Sequence, residues 1–248
     1  MRKQVQLFLV SFLLLFSFKS IAQHKDSAAS GFLVELSYAG QLPGGNLTQI
    51  FGFNSNIQGG AYYKTKKNWI YGASFAFLFG NILSNAGILD SISTTSGNLI
   101  ADDGNYPGIS YFERGFDIQL TIGKLFPVSR NLNSGILTTF SAGYIQHHVD
   151  IEVNDNTPQL DGDYLNGYDH LTAGICATEF IGYQYMSKKL FLAFFAGFEF
   201  TEAFSKSLRY DFELRAKDPN YKYEMLSGFR VGWILPILQE HTLKFYTH

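Results

Sequence analysis

The alternation of residues with a period of two over residues 112–125 restricts this chain to a β fold more strongly than any other feature. One face of such a strand carries large apolar side chains: Phe112, Phe116, Ile118, Leu120 and Ile122. The opposite face carries Glu113 and Asp117, because successive side chains of a strand point to opposite sides. Two acids opposite five large apolar residues favour a β-barrel with lipid outside and a polar interior.

The same alternation recurs along the chain and predicts eight strands. Residues 69–79 carry large side chains on one face and small ones on the other, which suits a narrow barrel with small residues inside. In 171–186 the apolar positions run into Glu179, which predicts a β-bulge. The predicted strands lie near 31–39, 56–64, 69–79, 112–125, 135–149, 171–186, 190–200 and 224–235.

The connections between these strands alternate between short and long. Short polar turns are predicted at 65–68, 127–134 and 187–189, and long loops at 40–55, 80–108, 150–170 and 201–223. This alternation is typical of transmembrane barrels, whose periplasmic turns are short and whose extracellular loops are long. The sequence therefore predicts an all-β, antiparallel, up-and-down transmembrane barrel of eight strands, or of ten if a long loop contains a hairpin.

The first 22 residues have the features of a cleaved signal peptide. Arg2 and Lys3 precede an apolar stretch, and Ala22 ends a run of small residues suited to cleavage before Gln23. We therefore expect an exported protein with residues 23–248 as a single barrel domain. One cysteine excludes a disulfide framework, and a formal charge of −2 argues against nucleic acid as a partner.

These features together resemble small bacterial outer-membrane β-barrels of the eight-stranded class, over roughly residues 31–235. The last strand resembles a barrel-assembly signal through Gly228, Val231 and Trp233, although Pro236 and further residues follow it. The signal-peptide end and the Phe, Tyr and Gly bias look like proteins of the Bacteroidota. The resemblance implies an outer-membrane location, contact with lipopolysaccharide and other lipid, and insertion by the barrel-assembly machinery.

Five charged residues are predicted to point into the barrel. An eight-stranded barrel has an interior just wide enough for side chains, so these charges must pair with each other. We therefore predict a structural charge network in the lumen, with a proton or ion path as the alternative. Its members are Glu35, Glu113, Asp117, Glu199 and Arg230.

No catalytic motif, metal-ligand cluster or cofactor site is evident. His147 and His148 come at a predicted strand end, where lipid A deacylases carry a His-x-Ser motif, but Asp150 stands at the position of the serine. The two histidines are therefore interpreted as surface residues at headgroup level. Residues 154–169 are rich in acids and amides and leave weak divalent-cation binding open, although they lack the EF-hand spacing.

The fourth predicted loop interleaves basic and aromatic residues. This mixture is typical of interfaces with a protein partner or with lipid phosphates, although a solvated hairpin is equally open. The candidate contacts are Arg209, Tyr210, Arg215 and Tyr221.

We therefore expect a non-enzymatic structural or accessory barrel, such as a subunit of an envelope machine, that uses its loops as interaction surfaces. The first alternative is a narrow channel or a barrel that binds a small solute or lipid, and a lipid-modifying enzyme ranks lower. A soluble lipocalin-like barrel would reverse the two faces and expose Glu113, Asp117 and Glu199.

Overall fold

Eight antiparallel strands pair in chain order, and the last pairs with the first to close a barrel. The computed structural model describes residues 28–83, 88–187, 193–212 and 214–239, so the predicted signal peptide lies outside the described residues. The predicted eight-stranded up-and-down barrel is confirmed, and the ten-stranded alternative is wrong for the described chain. The strands are β1 (Ser30–Gly45), β2 (Asn54–Lys64), β3 (Trp69–Gly80), β4 (Ile109–Pro127), β5 (Gly135–Val153), β6 (Thr172–Met186), β7 (Ala193–Ser207) and β8 (Tyr221–Gln239).

The two ends of the barrel differ. At the loop end, the four longer connections span residues 46–53, 81–108, 154–171 and 208–220. At the turn end, β1 begins, β8 reaches Gln239, and the turns 65–68 and 128–134 join neighbouring strands. Four short 3₁₀-helices lie in the loops, and none of the described helices is long and apolar enough to cross a membrane.

The outer face is apolar and the inner face is largely polar. On β4, Leu120 is 73% exposed on the outside, whereas its neighbour Gln119 is 5% exposed on the inside. Glu113, Asp117 and Glu199 are all buried inside the ring. The lipocalin-like alternative is therefore wrong, because it places these three carboxylates on the surface.

Several strands extend further towards the loop end than the sequence analysis predicts. β1 runs to Gly45, β7 runs to Ser207, and Lys206 pairs with Tyr221 of β8. Glu202 and Lys206 lie on the outer face of β7, so the polar residues that suggested a loop belong to a strand. The fourth loop is therefore 208–220 rather than 201–223, and the first is 46–53 rather than 40–55.

The predicted bulge in β6 is wrong. β6 pairs without interruption with β5 and with β7, and its side chains alternate regularly. Glu179 accordingly points outward, where it lies opposite Phe140 of β5 and Phe200 of β7. It stands midway along the strand, so the otherwise apolar outer face of this strand carries a carboxyl group in its centre.

Replacing Glu179 by leucine is expected to stabilise the barrel in a lipid bilayer by about 1–2 kcal/mol. Acidic residues on the lipid face cost free energy near the middle of a bilayer, although less than basic ones. The free energy of unfolding from urea titration in vesicles measures the change. The control is Glu152→Leu in the exposed part of β5, for which we expect no gain. A loss of stability in Glu179→Leu would contradict the outward placement.

β3 carries the predicted small residues Gly72, Ser74 and Ala76 on its inner face, whereas β2, β6 and β7 each point a large aromatic side chain into the lumen. The rings of Tyr62, Phe180 and Phe195 are buried. Each lies over glycine on the inner face: a Cβ at Gly72 would be 2.5 Å from Tyr62 Cδ1, and one at Gly232 would be 2.3 Å from Phe195 Cε1. The inner glycines therefore make room for large rings from the same or the neighbouring strand.

Pro43 and Pro236 both lie in the ladder between β1 and β8, where they pair with Leu226 and Leu33. The β1–β2 register ends at Gln41 and the β7–β8 register ends at Ile234. In these ladders each proline has a partner strand on one side only. A proline is tolerated there because its missing N–H can lie on the unpaired side. β8 therefore continues through Pro236 to Gln239, beyond the predicted end of the strand near residue 235.

Candidate functional site: a filled lumen and a cap of loops

The centre of the lumen is built around Arg230 of β8. Its guanidinium pairs with the Glu199 carboxylate at 2.5 Å and donates a hydrogen bond to Gln58 Oε1. Gln41 Nε2 donates to the other oxygen of Glu199 at 2.8 Å. Because Glu199 is fully buried, these donors replace the water that the carboxylate loses.

Two further predicted carboxylates face this ion pair. Glu35 accepts a hydrogen bond from Ser37 Oγ at 3.2 Å, and Asp117 accepts one from Gln119 Nε2 at 2.9 Å. Both interact electrostatically with Arg230 and with Glu199. Four of the five predicted lumen charges therefore meet at one level of the barrel.

Glu113 belongs to a second polar group, nearer the loop end. Asn54 Nδ2 donates to both of its carboxylate oxygens at 3.0 Å. His147 Nε2 lies 3.0 Å from Glu224 Oε2, and both side chains are buried. The interpretation of His147 as a surface residue is wrong; its neighbour His148 is on the outer face and half-buried.

Three residues that pair with these charged groups, Gln41, Gln58 and Glu224, were not predicted from the sequence. Gln41 lies on the same face of β1 as Glu35, and Gln58 lies on the inner face of β2. The period of two could therefore have indicated both residues. Glu224 was the first residue of the shorter predicted strand. Its partner became visible only when the register across the closed barrel was known.

Apolar layers close the lumen on both sides of the central charges. A cavity of about 50 Å³ remains beside Arg230, with room for a few water molecules. Towards the turn end lies one apolar layer: Leu33, Tyr62, Ile70, Leu125, Leu137, Phe180, Met186, Ala193, Phe195 and Ile234. Towards the loop end lies another, which includes Phe51 and Leu99 from the loops. Side chains therefore fill the barrel along its axis.

The turn 128–134 closes the turn end. Lys64 is fully buried, and its Nζ donates to Asn133 Oδ1 and to the Ala29 carbonyl, each at 2.9 Å. Asn131 Nδ2 donates to the Met186 carbonyl at the end of β6 at 2.6 Å. The turn thus crosses beneath the lumen and ties β1, β2 and β6 together.

The four loops at the other end form one connected cap. The first, second and third loops are each hydrogen-bonded to the next, and the start of β8, which follows the fourth loop, is bonded to the first. The bonds are Gly52 N–H to the Ile82 carbonyl (2.8 Å), Asn156 Nδ2 to Asp102 Oδ2 (2.6 Å), Phe212 N–H to the Gly167 carbonyl (3.0 Å), and Tyr223 N–H at the start of β8 to Asn46 Oδ1 (3.0 Å). The Phe51 and Leu99 side chains from the first two loops fill the barrel mouth below.

An ion pair and a histidine–carboxylate contact clasp the third loop to the fourth. Arg209 pairs with Asp169 and donates to Asn166 Oδ1 at 2.7 Å, so this predicted contact residue faces the neighbouring loop. His170 Nδ1 lies 3.2 Å from Asp211 Oδ2. The other predicted contacts are exposed: Tyr210 and Arg215 in the loop, and Tyr221 at the start of β8, beside Lys206 at 5.4 Å.

Acidification is expected to loosen this clasp. Burial lowers the pKa of His170, against the raising effects of Asp211 and Asp169, and nearby Lys222 lowers it further. Because its pKa is lower in the docked state, the neutral form of His170 favours docking. This contribution is fully present above the ordinary histidine pKa near 6.5. That stabilisation is lost as the pH falls through the window below this value.

Limited proteolysis of loop 208–220 between pH 7.5 and 5.5 tests this expectation, and cleavage should become faster on acidification. Burial raises the pKa of Asp169, so protonation of this carboxyl group at still lower pH would favour docking and oppose the effect of His170. The pH range therefore stops at 5.5. The control His170→Gln cannot take up the proton and should lose this pH dependence. Equal pH dependence in both proteins would contradict the role of His170.

The predicted assembly residues lie in the middle part of β8. Val231 and Trp233 face outward and are about half exposed. Gly228 faces inward, where a Cβ would lie 2.7 Å from the Gly40 carbonyl. Their role in assembly stays a prediction, as does the bacterial group.

Comparisons with solved structures find barrels of similar size. Neisserial surface protein A shares 10% identity over 84% of this chain and 98% of its own, with a TM-score of 0.47. Ail, the attachment invasion locus protein of Yersinia pestis, shares 9% over 84% and 99%, with a TM-score of 0.42. The N-terminal β-barrel domain of Pseudomonas aeruginosa OprF shares 12% over 83% and 98%, with a TM-score of 0.36.

No family model and no curated protein matches this chain. The similarities to solved structures are too distant to indicate a function. Among the described residues, no three His, Cys, Asp or Glu side chains are placed to hold a metal ion together. The function must therefore be argued from the lumen, the outer face and the cap of this chain itself.

Proposed function

We propose that this chain is an exported, non-conducting β-barrel of the bacterial outer membrane with a structural or accessory role. Its loop end lies outside the cell and binds another component of the envelope. The observation that carries the proposal is the combination of an apolar outer face, suited to contact with lipid, and loops that are hydrogen-bonded into one cap. The signal peptide 1–22 and insertion by the barrel-assembly machinery belong to the same proposal.

The outer face supports membrane insertion because every strand exposes large apolar side chains there. Phe32, Phe75, Ile175 and Phe198 are each at least half exposed. A soluble protein rarely exposes a continuous apolar surface of this extent, whereas lipid covers it fully. Trp69, Tyr71, Tyr183, Tyr185 and Trp233 lie towards the turn end, as aromatic residues do at a membrane interface.

The filled lumen argues against the channel alternative. Arg230 and its partners occupy the centre, and apolar layers lie on both sides of them. Ions crossing such a barrel would need to displace close-packed side chains. No nucleophile with an adjacent base was found in the sequence, so a non-enzymatic role remains the better proposal.

The cap supports a binding role because it exposes large side chains to water. The exposed fractions are 64% for Tyr106, 63% for Tyr164, 51% for Tyr210, 59% for Leu214 and 75% for Tyr221. Exposed aromatic residues held on a rigid frame lose little conformational entropy on binding, which makes them good anchors. We therefore propose an envelope protein as the partner, bound mainly through the fourth loop.

Affinity purification from the native membrane in mild detergent tests this role. The full-length protein is expected to retain a partner at fixed stoichiometry, identified by mass spectrometry. The double variant Tyr210→Ser/Leu214→Ser should lose it by at least tenfold, because exposed anchors carry most of the binding energy of an interface. The control Ile100→Ser, in the second loop, should retain it.

Heat-modifiable migration in gels checks that each variant still forms a closed barrel. A closed barrel that purifies without a partner would contradict the proposed accessory role. Steady ion conductance of the wild-type protein in planar bilayers would contradict the non-conducting barrel.

A further inference from the structure

The turn end of the barrel is strongly basic. Among the residues that the structure describes, five cations lie there: Lys64, Lys66, Lys67, Lys124 and Arg130. The stretches that form this end among the described residues contain neither Asp nor Glu; they are 28–31, 62–71, 122–137, 183–187, 193–195 and 234–239. The overall formal charge of −2 conceals this concentration of positive charge.

Four of these cations, which we call the basic arc, lie on the turns 65–68 and 128–134 and on the part of β4 next to them: Lys66, Lys67, Lys124 and Arg130. Lys66, Lys67 and Arg130 are exposed, and Lys124 is half-buried. Lys124 Nζ lies 4.9 Å from the ring centroid of Trp69 and donates to the Lys67 carbonyl at 2.5 Å. Trp69 in turn stacks on Tyr71 at 6.3 Å, so the ammonium group sits at the level of an interfacial aromatic pair.

The two turns that carry the arc are fixed to each other. Asn68 Nδ2 donates to the Leu132 carbonyl at 2.9 Å. The Leu125 N–H donates to the Asn68 carbonyl at 3.0 Å. The backbone that carries these cations is therefore held in place before any ligand binds, which lowers the entropic cost of binding.

Among the described residues, the loop end carries charges of both signs, and its exposed acids outnumber its exposed cations, Arg215 and Lys217. Its exposed side chains include the acids Asp102, Asp103, Glu152, Asp155 and Asp161. Positive charge is therefore concentrated at the turn end of the barrel, and negative charge is in excess at the loop end. A ligand that favours the turn end must be anionic and must lie at the level of the aromatic residues.

We propose that this basic arc binds the phosphate groups of anionic phospholipids in the periplasmic leaflet of the membrane. The inference rests on the proposed location in the outer membrane, which places the turn end at that leaflet. Lysines attract such headgroups as point charges, and Arg130 can donate two parallel hydrogen bonds to one phosphate. Bound lipid in turn anchors the barrel against vertical movement in the bilayer.

Native mass spectrometry of the full-length protein released from mixed-lipid nanodiscs tests this proposal. The probe is phosphatidylglycerol in a phosphatidylcholine background. We expect wild-type protein to retain phosphatidylglycerol preferentially, and Lys66→Gln/Lys67→Gln to reduce that preference by roughly 25-fold, about fivefold for each cation. Adding Arg130→Gln should reduce it further. The matched control Arg215→Gln/Lys217→Gln removes two cations from the loop end and should leave it unchanged.

Three results would overturn the proposal. One is equal retention by the wild-type protein and the lysine variant, and another is equal loss in the control variant. The third is displacement of the lipid by inorganic phosphate beyond that caused by sodium chloride of the same ionic strength, which would indicate a site for free phosphate.

Insertion itself is monitored separately, by heat-modifiable migration after folding into phosphatidylcholine alone. Failure of the wild-type protein to insert would contradict the proposed membrane location. Insertion without any preference for phosphatidylglycerol would contradict the lipid site only.

Discussion

Replacing Arg230 by methionine is expected to lower the free energy of unfolding by about 3–5 kcal/mol. The substitution keeps most of the side-chain volume but leaves Glu199 buried without its cation, and removing one partner of a buried ion pair has a cost of this size. Glu35 and Asp117 lose the same compensating charge. Urea titration of the barrel in vesicles, followed by Trp233 fluorescence and gel mobility, measures the loss.

The control for Arg230→Met is the same substitution at Arg114, on the outer face. Arg114 Nε is 3.8 Å from Asp150 Oδ2, and both side chains are partly exposed, so we expect a loss of at most about 1 kcal/mol. The double variant Arg230→Met/Glu199→Gln should recover part of the stability, because it no longer buries that unpaired carboxylate. Equal losses at Arg230 and Arg114 would contradict the central ion pair.

Replacing Phe195 by alanine is expected to destabilise the barrel by about 3–5 kcal/mol. Its ring is 3% exposed, packs edge-on against Phe180 at 5.4 Å and lies over Gly232. Glycine has no side chain that could move into the space left behind, so a cavity remains. The same unfolding titration measures this loss.

The adjacent Phe194 provides a control with identical chemistry. It points outward, is 48% exposed and would leave a gap that lipid chains can fill. We expect Phe194→Ala to cost about 1 kcal/mol, because about half of its surface is already exposed in the folded barrel. A larger loss at Phe194 than at Phe195 would show that the two faces of β7 are assigned the wrong way round.

The alternation of residues was sufficient to predict both faces of β1, β3 and β4, because burial on one side of a strand selects side chains with a period of two. It failed on β2, β6 and β7, where single side chains depart from the rule. Glu179 on the outer face was interpreted as a bulge, since a carboxyl facing lipid is unfavourable. Tyr62, Phe180 and Phe195 on the inner face escaped notice, because their space is provided by glycines.

In the candidate site, the inward-facing residues could be predicted from the sequence, whereas their contacts with each other could not. The inward charges Glu35, Asp117, Glu199 and Arg230 were predicted from parity alone. Their grouping at one level depends on the stagger between strands, which no single strand reveals. The pairing of His147 with Glu224 joins residues 77 positions apart and requires the closed ring. Similarly, the bonds that turn four loops into one cap involve short polar segments without any periodic pattern.

The sequence by itself therefore determined the class of fold, the position of eight strands and which face of most strands is apolar, since these follow from local alternation and from the spacing of turns. That no further hairpin lies in the described loops was decided by the structure. Only the tertiary structure decided that the lumen is filled, that the loops form one cap and that the cations of two turns form one arc. These features depend on register and closure, which bring together side chains far apart in the chain.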